Sequence, residues 1–298
     1  MREKKSGVGT QESEGRMRWR CISLLVLLPA ALTAQKAEMK LKHSETIQRT
    51  FAAPKILDVD NISGSVHVIG YDGRQVQLAA VRTNEADTQE LLDKAAREVT
   101  LKTEEKDGEL MIYPDGPFRD RYPPFRGSHD HDGNPGYRFV FEMTIRVPTS
   151  LNLNVRNVNR GGIAIEDVRG RFDIQGVNGG VDMKGIAGDG QVRSVNGAVH
   201  VGFSRNPTGA CTFKTVNGAV EVSFQPGLSA DLQYKTMHGG IYTDFDLSAM
   251  PATVAGKADQ KNGRFVYRSH GYSSGRVGQG GPLMSFETIN GEIRILKK

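Results

Sequence analysis

One short motif recurs along this chain of 298 residues and limits what the chain can fold into. An Asn-Gly pair, replaced once by His-Gly, stands between runs in which apolar and polar residues alternate. The five clear copies are centred on Gly179, Gly197, Gly218, Gly239 and Gly291. Looser copies are centred on Gly161, which lies 18 residues before Gly179, and on the distant Gly64. The steps between clear copies are 18, 21, 21 and 52 residues, so the sequence predicts a repeat architecture with one interruption.

Positions at fixed offsets from these glycines share a chemical character. Two and four residues after the glycine the side chains are almost all apolar, and this period of two predicts one buried strand face. The residue between them is polar and varied, which predicts an outward row: Asp182, His200, Glu221, Tyr242 and Arg294. Five residues before the glycine stands a second apolar column: Ile174, Val192, Phe213, Tyr234 and Phe286. A polar column follows it: Gln175, Arg193, Lys214, Lys235 and Glu287.

Two β architectures can repeat an Asn-Gly turn in this way. In an antiparallel meander, each pair would be the turn of a two-residue hairpin. In a β-solenoid, it would be the corner of a coil, with Asn and Gly in left-handed backbone conformations. The residue two before the glycine is always apolar, and a hairpin would place it on the polar face: Val177, Val195, Val216, Met237 and Ile289.

We therefore favour an all-β chain that forms a single β-solenoid of 18–21-residue repeats, in which this apolar residue turns inward. Each coil is expected to contain three short strands, and the stacked amides of Asn178, Asn196 and Asn217 are expected to form a hydrogen-bonded ladder. The antiparallel β-meander remains the alternative.

The other segments predict a helix-bearing N-terminal part and two irregular stretches. Residues 44–83 alternate as strands do, and residues 85–98 predict the single helix, with a narrow apolar stripe. A loop at 115–136, rich in Pro, Gly, Asp and Arg, is expected to be flexible, as is an insertion at 247–281 with a Gly/Ser-rich stretch. Because no linker divides the rest, residues 35–298 are expected to form one β-strand-repeat domain.

Residues 1–34 have the features of a secretory signal peptide. Arginines precede a short apolar run, and the chain turns polar after Ala34, where we expect cleavage. Met17 is a second candidate for the start of the chain. The protein is therefore expected to be exported to the periplasm or the cell surface, with no transmembrane segment after cleavage.

Charge and cysteine content narrow the possible partners. Residues 35–298 contain 33 Lys/Arg and 31 Asp/Glu with no long basic block, which argues against nucleic acid as a partner. Their one cysteine, Cys211, cannot form an internal disulfide and is expected to be buried as a small apolar residue.

The chain contains the serial motifs "VNGGV", "VNGAV" and "VNGAV" and, before them, the stretches "ILDVDNISGSVHVIGYDGRQVQLAAVRT" and "YRFVFEMTIRVPTSLNLNV". In these residues it resembles the bacterial putative-adhesin family of β-strand-repeat domains. That family is similar to the head-GIN domains. The resemblance covers about residues 50–295 and implies a stacked β-solenoid in an envelope-associated protein without established enzymatic activity. It supplies no catalytic motif to carry over.

Candidate functional residues fall into two groups. The outward rows are candidate binding faces: Arg193, Lys214 and Lys235 on one, and Asp182, His200, Glu221 and Tyr242 on the other. The loop residues His129, Asp130, His131 and Asp132 could hold a transition metal weakly, but no distant ligand completes the set, and we expect a solvated polar loop. No cofactor and no catalytic residue is predicted.

The favoured function is a non-catalytic envelope module that binds or scaffolds an envelope protein or a surface polysaccharide, since stacked repeats offer long regular faces. A second hypothesis is a regulatory partner of an envelope-stress sensor or anti-sigma protein, bound through an exposed strand edge. A third is a carbohydrate-active β-helix enzyme, which would need paired carboxylates in a cleft.

Overall fold

The computed structural model describes residues 41–118, 135–249, 259–261, 264–266 and 272–298. The predicted signal peptide, most of the loop at 115–136 and part of the insertion at 247–281 therefore lie outside the described residues. The described residues are all-β apart from one helix, and most of their strands belong to two large mixed sheets.

The N-terminal part alternates long strands with the helix. Its elements are β1 (Leu41–Ala52), β2 (Ile56–Ser63), β3 (Val66–Tyr71), β4 (Gln75–Ala86), α1 (Gln89–Glu98), β5 (Thr100–Lys106), β6 (Glu109–Asp115) and β7 (Tyr137–Pro148). The helix begins later than the predicted residue 85, because β4 continues to Ala86 and Thr88 caps the helix by accepting a bond from the Leu91 amide. Leu92 and Ala95 of its apolar stripe are buried.

The repeat region consists of short strands. They are β8 (Asn152–Asn159), β9 (Ile163–Glu166), β10 (Phe172–Gly176), β11 (Val181–Ile186), β12 (Gly190–Arg193), β13 (Val199–Phe203), β14 (Cys211–Lys214), β15 (Val220–Phe224), β16 (Ala230–His238) and β17 (Ile241–Thr243). The remaining strands are β18 (Ser248–Ala249), β19 (Asp259–Lys261), β20 (Arg264–Val266), β21 (Ser273–Val277), β22 (Leu283–Asn290) and β23 (Ile293–Lys297).

Across the described residues, the first sheet has the order β1-β4-β7-β3-β9-β11-β13-β15-β23-β17. The second has the order β18-β21-β16-β22-β14-β12-β10-β8-β2-β6-β5, and β19 and β20 form a separate pair. Each copy of the motif supplies one strand to the second sheet and, after its Asn-Gly corner, one to the first. We call such a pair of strands a repeat unit; it has two strands and not the predicted three.

Neighbouring repeat units pair in parallel in both sheets, so they do not form the antiparallel meander. The predicted ladder is present: Asn196 Nδ2 donates to Asn178 Oδ1 at 2.9 Å, and Asn217 Nδ2 donates to Asn196 Oδ1 at 2.7 Å. Asn290 and the ring of His238 continue it at one end. The looser copies at Gly161 and Gly64 are repeat units as well, since β8/β9 and β2/β3 stack in the same order.

The stacking order differs from the order along the chain. The last repeat unit, β22/β23, lies between the unit β14/β15 and the unit β16/β17. The unit centred on Gly239 is therefore at the end of the series. Its core residue Ile241 is 37% exposed, whereas the equivalent Ile293 and Val220 are fully buried.

Two details of the predicted corner are wrong. The apolar residue two before the glycine does not turn inward: Val195 is 40% exposed and Met237 64%. The residue before it turns inward instead, and its hydroxyl donates to a glycine carbonyl of a neighbouring unit, as Thr215 Oγ1 does to Gly197 O at 2.8 Å. The ladder asparagines are also not left-handed, since no Asn has a positive φ among the described residues.

Close stacking explains the glycine at each corner. A Cβ on Gly179 would lie 1.9 Å from Gly161 O, and one on Gly291 would lie 1.9 Å from Gly218 O. The core lies between the two sheets, where side chains from both meet; the rings of Phe203 and Phe213, for example, are 6.2 Å apart.

Candidate functional site

The predicted outward row lies on the outer face of the first sheet. Asp182 pairs with His200, and His200 with Glu221. Arg294 then stands between Glu221 and Tyr242, because the last repeat unit is inserted there. His200 and Tyr242 are exposed, so the row brings together acidic, basic and aromatic side chains on adjacent strands.

The row continues beyond the residues that the sequence analysis selected. Ala164 pairs with Asp182, and His67 pairs with Ala164. Both lie three residues after their reference glycines, Gly161 and Gly64, which is the offset of Asp182 and His200. The repeat alignment therefore held the signal that places His67 in the row, although the sequence analysis did not use it.

A groove of about 470 Å³ lies at this end of the row. Its floor is made of small residues at the start of adjacent strands of the first sheet, and its borders are polar. The floor includes Gly162, Ala164, Gly180 and Ala198, and the borders include Ser65, His67, Asp182 and His200. The small residues suit the close stacking of units, since a Cβ on Gly162 would lie 2.8 Å from Gly180 O. Because these residues have small or no side chains, they also leave room for a ligand above the sheet.

The polar borders are held by neighbouring side chains. His67 Nε2 lies 3.0 Å from Glu166 Oε1, and Lys184 Nζ lies 3.3 Å from Asp182 Oδ1. The Ser65 amide donates to Glu142 Oε2 at 3.1 Å. The groove thus offers imidazole, carboxylate and hydroxyl groups that can exchange hydrogen bonds with a polar ligand. Asp182 is the one carboxylate among its described lining residues, so the groove lacks the facing pair of carboxylates that glycoside hydrolysis uses.

The candidate residues Arg193, Lys214 and Lys235 lie on the outer face of the second sheet, with an acidic residue among them. Arg193 pairs with Lys214, and Glu287 then stands between Lys214 and Lys235. Lys214 Nζ and Glu287 Oε2 are 3.1 Å apart, so this lysine is already paired.

Tyr272, from the insertion, completes this cluster. Its hydroxyl donates to Glu287 Oε2 at 2.7 Å, and Lys235 Nζ lies 5.7 Å from its ring centroid. The hydrogen bond to Glu287 raises the pKa of Tyr272 to about 12, with burial adding to the effect. The two lysines therefore make contacts within the chain, and the binding role of this face stays a prediction.

Other candidate chemistry has little support in the described part of the chain. The metal candidates His129, Asp130, His131 and Asp132 lie outside it, and within it no group of three or more His, Cys, Asp or Glu could hold a metal. Cys211 is buried as expected, and burial raises the pKa of its thiol to about 11. None of the described helical structure is long and apolar enough to cross a membrane.

Comparison with known proteins finds distant likenesses among solved structures. No family model matches the chain, and no curated protein sequence matches it. A structure named as a putative cell adhesion protein from Clostridium sporogenes aligns over 86% of this chain and all of its own, with 10% identity and a TM-score of 0.41. A putative adhesin from Bacteroides fragilis aligns over 85% of this chain and 97% of its own, with 13% identity and a TM-score of 0.37.

A third structure, named as a putative lipid binding protein from Parabacteroides distasonis, covers 86% of this chain and 96% of its own, with 15% identity and a TM-score of 0.25. The names of the first two are consistent with the adhesin resemblance in the sequence. All three TM-scores are below 0.5, so we infer no ligand and no site from these structures.

Proposed function

We propose that this chain is an exported envelope protein that acts as a non-catalytic binding module, and that it binds an extended surface polysaccharide along the outer face of the first sheet. The β-solenoid architecture belongs to this proposal, and the parallel stacking of the repeat units supports it. Such stacking repeats side chains about every 4.8 Å along a face, which suits a polymeric ligand.

The groove between His67 and His200 is the observation that carries the proposal. Its floor of glycine and alanine leaves a shallow surface on which an apolar ring face can rest, and its borders can bind hydroxyl groups. Tyr242, 54% exposed further along the row, adds an aromatic surface with a polar tip. The row and the groove thus form one surface that crosses adjacent strands.

Binding to an array of purified bacterial surface polysaccharides tests the proposal. We expect the chain to retain a subset of these polymers, and Ala198→Phe, which fills the floor of the groove, to reduce binding at least tenfold. Thr212→Phe places the same ring on the outer face of the second sheet, outside the proposed binding surface, and is the matched control that keeps binding.

Equal binding by both variants would refute the site. Failure of the array, together with cross-linking of one envelope protein to the row in cells, would overturn the polysaccharide as ligand in favour of a protein partner.

A further inference from the structure

The last repeat unit occupies a slot inside the series. The strands β22 and β23 come last in the chain, yet each is paired in parallel on both sides, β22 with β14 and β16, and β23 with β15 and β17. The last of the flanking strands, β17, ends at Thr243, whereas β22 begins at Leu283. The flanking units therefore define a space one repeat unit wide that a later segment fills.

Specific contacts on one side of the slot select this segment. The ring of Phe286 stacks on that of Phe213 with centroids 5.4 Å apart, and Glu287 is paired with Lys214. Thr288 Oγ1 donates to Gly218 O at 2.9 Å. A strand of another sequence would not reproduce these contacts.

The other side of the slot is matched as well. Thr236 Oγ1 donates to Gly291 O at 3.0 Å, and His238 Nδ1 lies 3.1 Å from Asn290 Oδ1. The segment therefore completes hydrogen bonds with the units on both sides of the slot. If the slot were vacated, two strand edges would be left unpaired in each sheet.

A glycine-rich turn leads into the segment. β21 is antiparallel to β16 on one edge and β22 is parallel to it on the other, so residues 278–282 pass from one side of β16 to the other. Gly278, Gly280 and Gly281 have φ of +58°, +77° and +152°, conformations that favour glycine. The side chain of Ser229 holds this turn through exposed bonds to the Gln279 amide and the Gly280 carbonyl, at 3.0 and 2.8 Å.

We propose that residues 283–297 are an exchangeable unit, and that the slot of one chain accepts the same unit from a second copy of this chain to give a strand-exchanged dimer. Every contact that fills the slot would be re-formed between the two chains, so the closed and exchanged forms differ chiefly in the turn at 278–282. Pro282 favours an extended conformation at Gly281, which suits the opened turn. Protein concentration then sets the balance between the two forms.

Cross-linking between two differently marked chains tests this proposal. Thr212 and Ser285 are register partners on β14 and β22, so one full chain carries Thr212→Cys, the other carries Ser285→Cys, and both carry Cys21→Ser. The chains are unfolded together, refolded over a range of concentrations, and treated with a short bifunctional maleimide. Glu221→Cys and Arg294→Cys, partners on β15 and β23, form a second pair tested in the same way.

We expect a dimer by light scattering whose fraction rises with refolding concentration, and links between the two marked chains in that dimer. The variants with both cysteines in one chain are the control, since they link internally in the monomer. A monomer at every concentration would overturn the proposal, and so would a dimer that yields no link between chains with either pair.

The turn supplies a second and independent measurement. Deleting Gly280 and Gly281 shortens the path around β16, so we expect the dimer fraction to rise at least tenfold at equal concentration. Inserting Gly-Ser-Gly between these two residues relaxes the same path and is expected to lower the dimer fraction. Neither change alters a contact of the exchanged unit, and an equal dimer fraction in both variants would contradict the proposal.

Discussion

The N-terminal part and the repeat region bury polar groups in different ways. Between Leu41 and Pro148, the helix and the long antiparallel strands bury single polar residues such as Arg82 and Asn84, each in its own surroundings. In the repeat region, Ser194, Thr215 and Thr288 are buried in equivalent positions and make the same kind of bond to a glycine carbonyl. Repetition thus satisfies these three hydroxyl groups by one rule, whereas Arg82 depends on contacts specific to its own position.

The largest expected effect lies in the repeat region. Phe286 is fully buried and packs against Phe213 and Phe224, so Phe286→Ala should lower the free energy of unfolding by about 3–5 kcal/mol. Urea denaturation measures the loss. Tyr234→Ala removes a ring from the same column of the half-exposed end unit; it is the comparison and should cost clearly less, because that ring is only partly buried. A loss of similar size in both variants would mean that the end unit is packed as tightly as the inner ones.

The second effect concerns the N-terminal part. Arg82 donates to the carbonyls of Ala96 and Val99 at the end of the helix, and its Nη2 lies 2.5 Å from Glu45 Oε2. Arg82→Met should cost about 2–3 kcal/mol, because hydrogen bonds from a charged donor are lost in a buried setting. Hydrogen exchange should show the loss first in α1 and β4. Arg49→Met, which removes a single bond to Thr103, is the matched control, and equal losses would contradict a special role for Arg82.

These two regions also differ in how far the sequence could predict them. The repeat columns predicted the inward and outward faces, the asparagine ladder and the row from Asp182 to Tyr242, because each repeat unit faces the same constraints. The looser copy at Gly64 even implied the place of His67. The N-terminal part offered no such redundancy, and the burial of Arg82 and Asn84 depends on contacts between segments that alternation alone cannot specify.

The stacking order could not be predicted from the columns alone. Either order of the last two units satisfies the apolar columns, since Ile241 and Ile293 are interchangeable there. Charge distinguishes the two orders: direct pairing of Lys214 with Lys235 would place like charges opposite each other, and insertion of Glu287 separates them. This charge pattern was visible in the sequence, but its meaning depends on knowing that the units stack in parallel.

A smaller effect tests whether the repeated hydroxyl bond stabilises the corners. Thr215→Val keeps the shape of the side chain and removes the bond to Gly197 O, so we expect a loss of about 1 kcal/mol in the free energy of unfolding. Thr212→Val, on the outer side of the preceding strand β14, is the control and should lie within about 0.5 kcal/mol of the parent chain. Equal stability of the two variants would show that the corner hydroxyls contribute nothing measurable.

The smallest effect depends on pH and tests the charge that separates the two lysines. Burial raises the pKa of Glu287, but hydrogen bonds from Tyr272 and Lys214, with the charges of Lys214 and Lys235, outweigh it and hold the pKa below 4.5. A carboxyl whose pKa is lower in the folded chain stabilises the fold above its unfolded pKa, and this contribution is lost as pH falls through the folded pKa.

Glu287→Gln should therefore be less stable than the parent chain by about 1 kcal/mol or less near neutral pH, since the pair is partly exposed. The difference should vanish as pH falls below 4.5 through the folded pKa, as measured by denaturation at a series of pH values. A double-mutant cycle with Lys214→Met isolates the contribution of the pair. A stability difference that persists unchanged at low pH would mean that Glu287 acts through packing, and the charge argument for the stacking order would then fail.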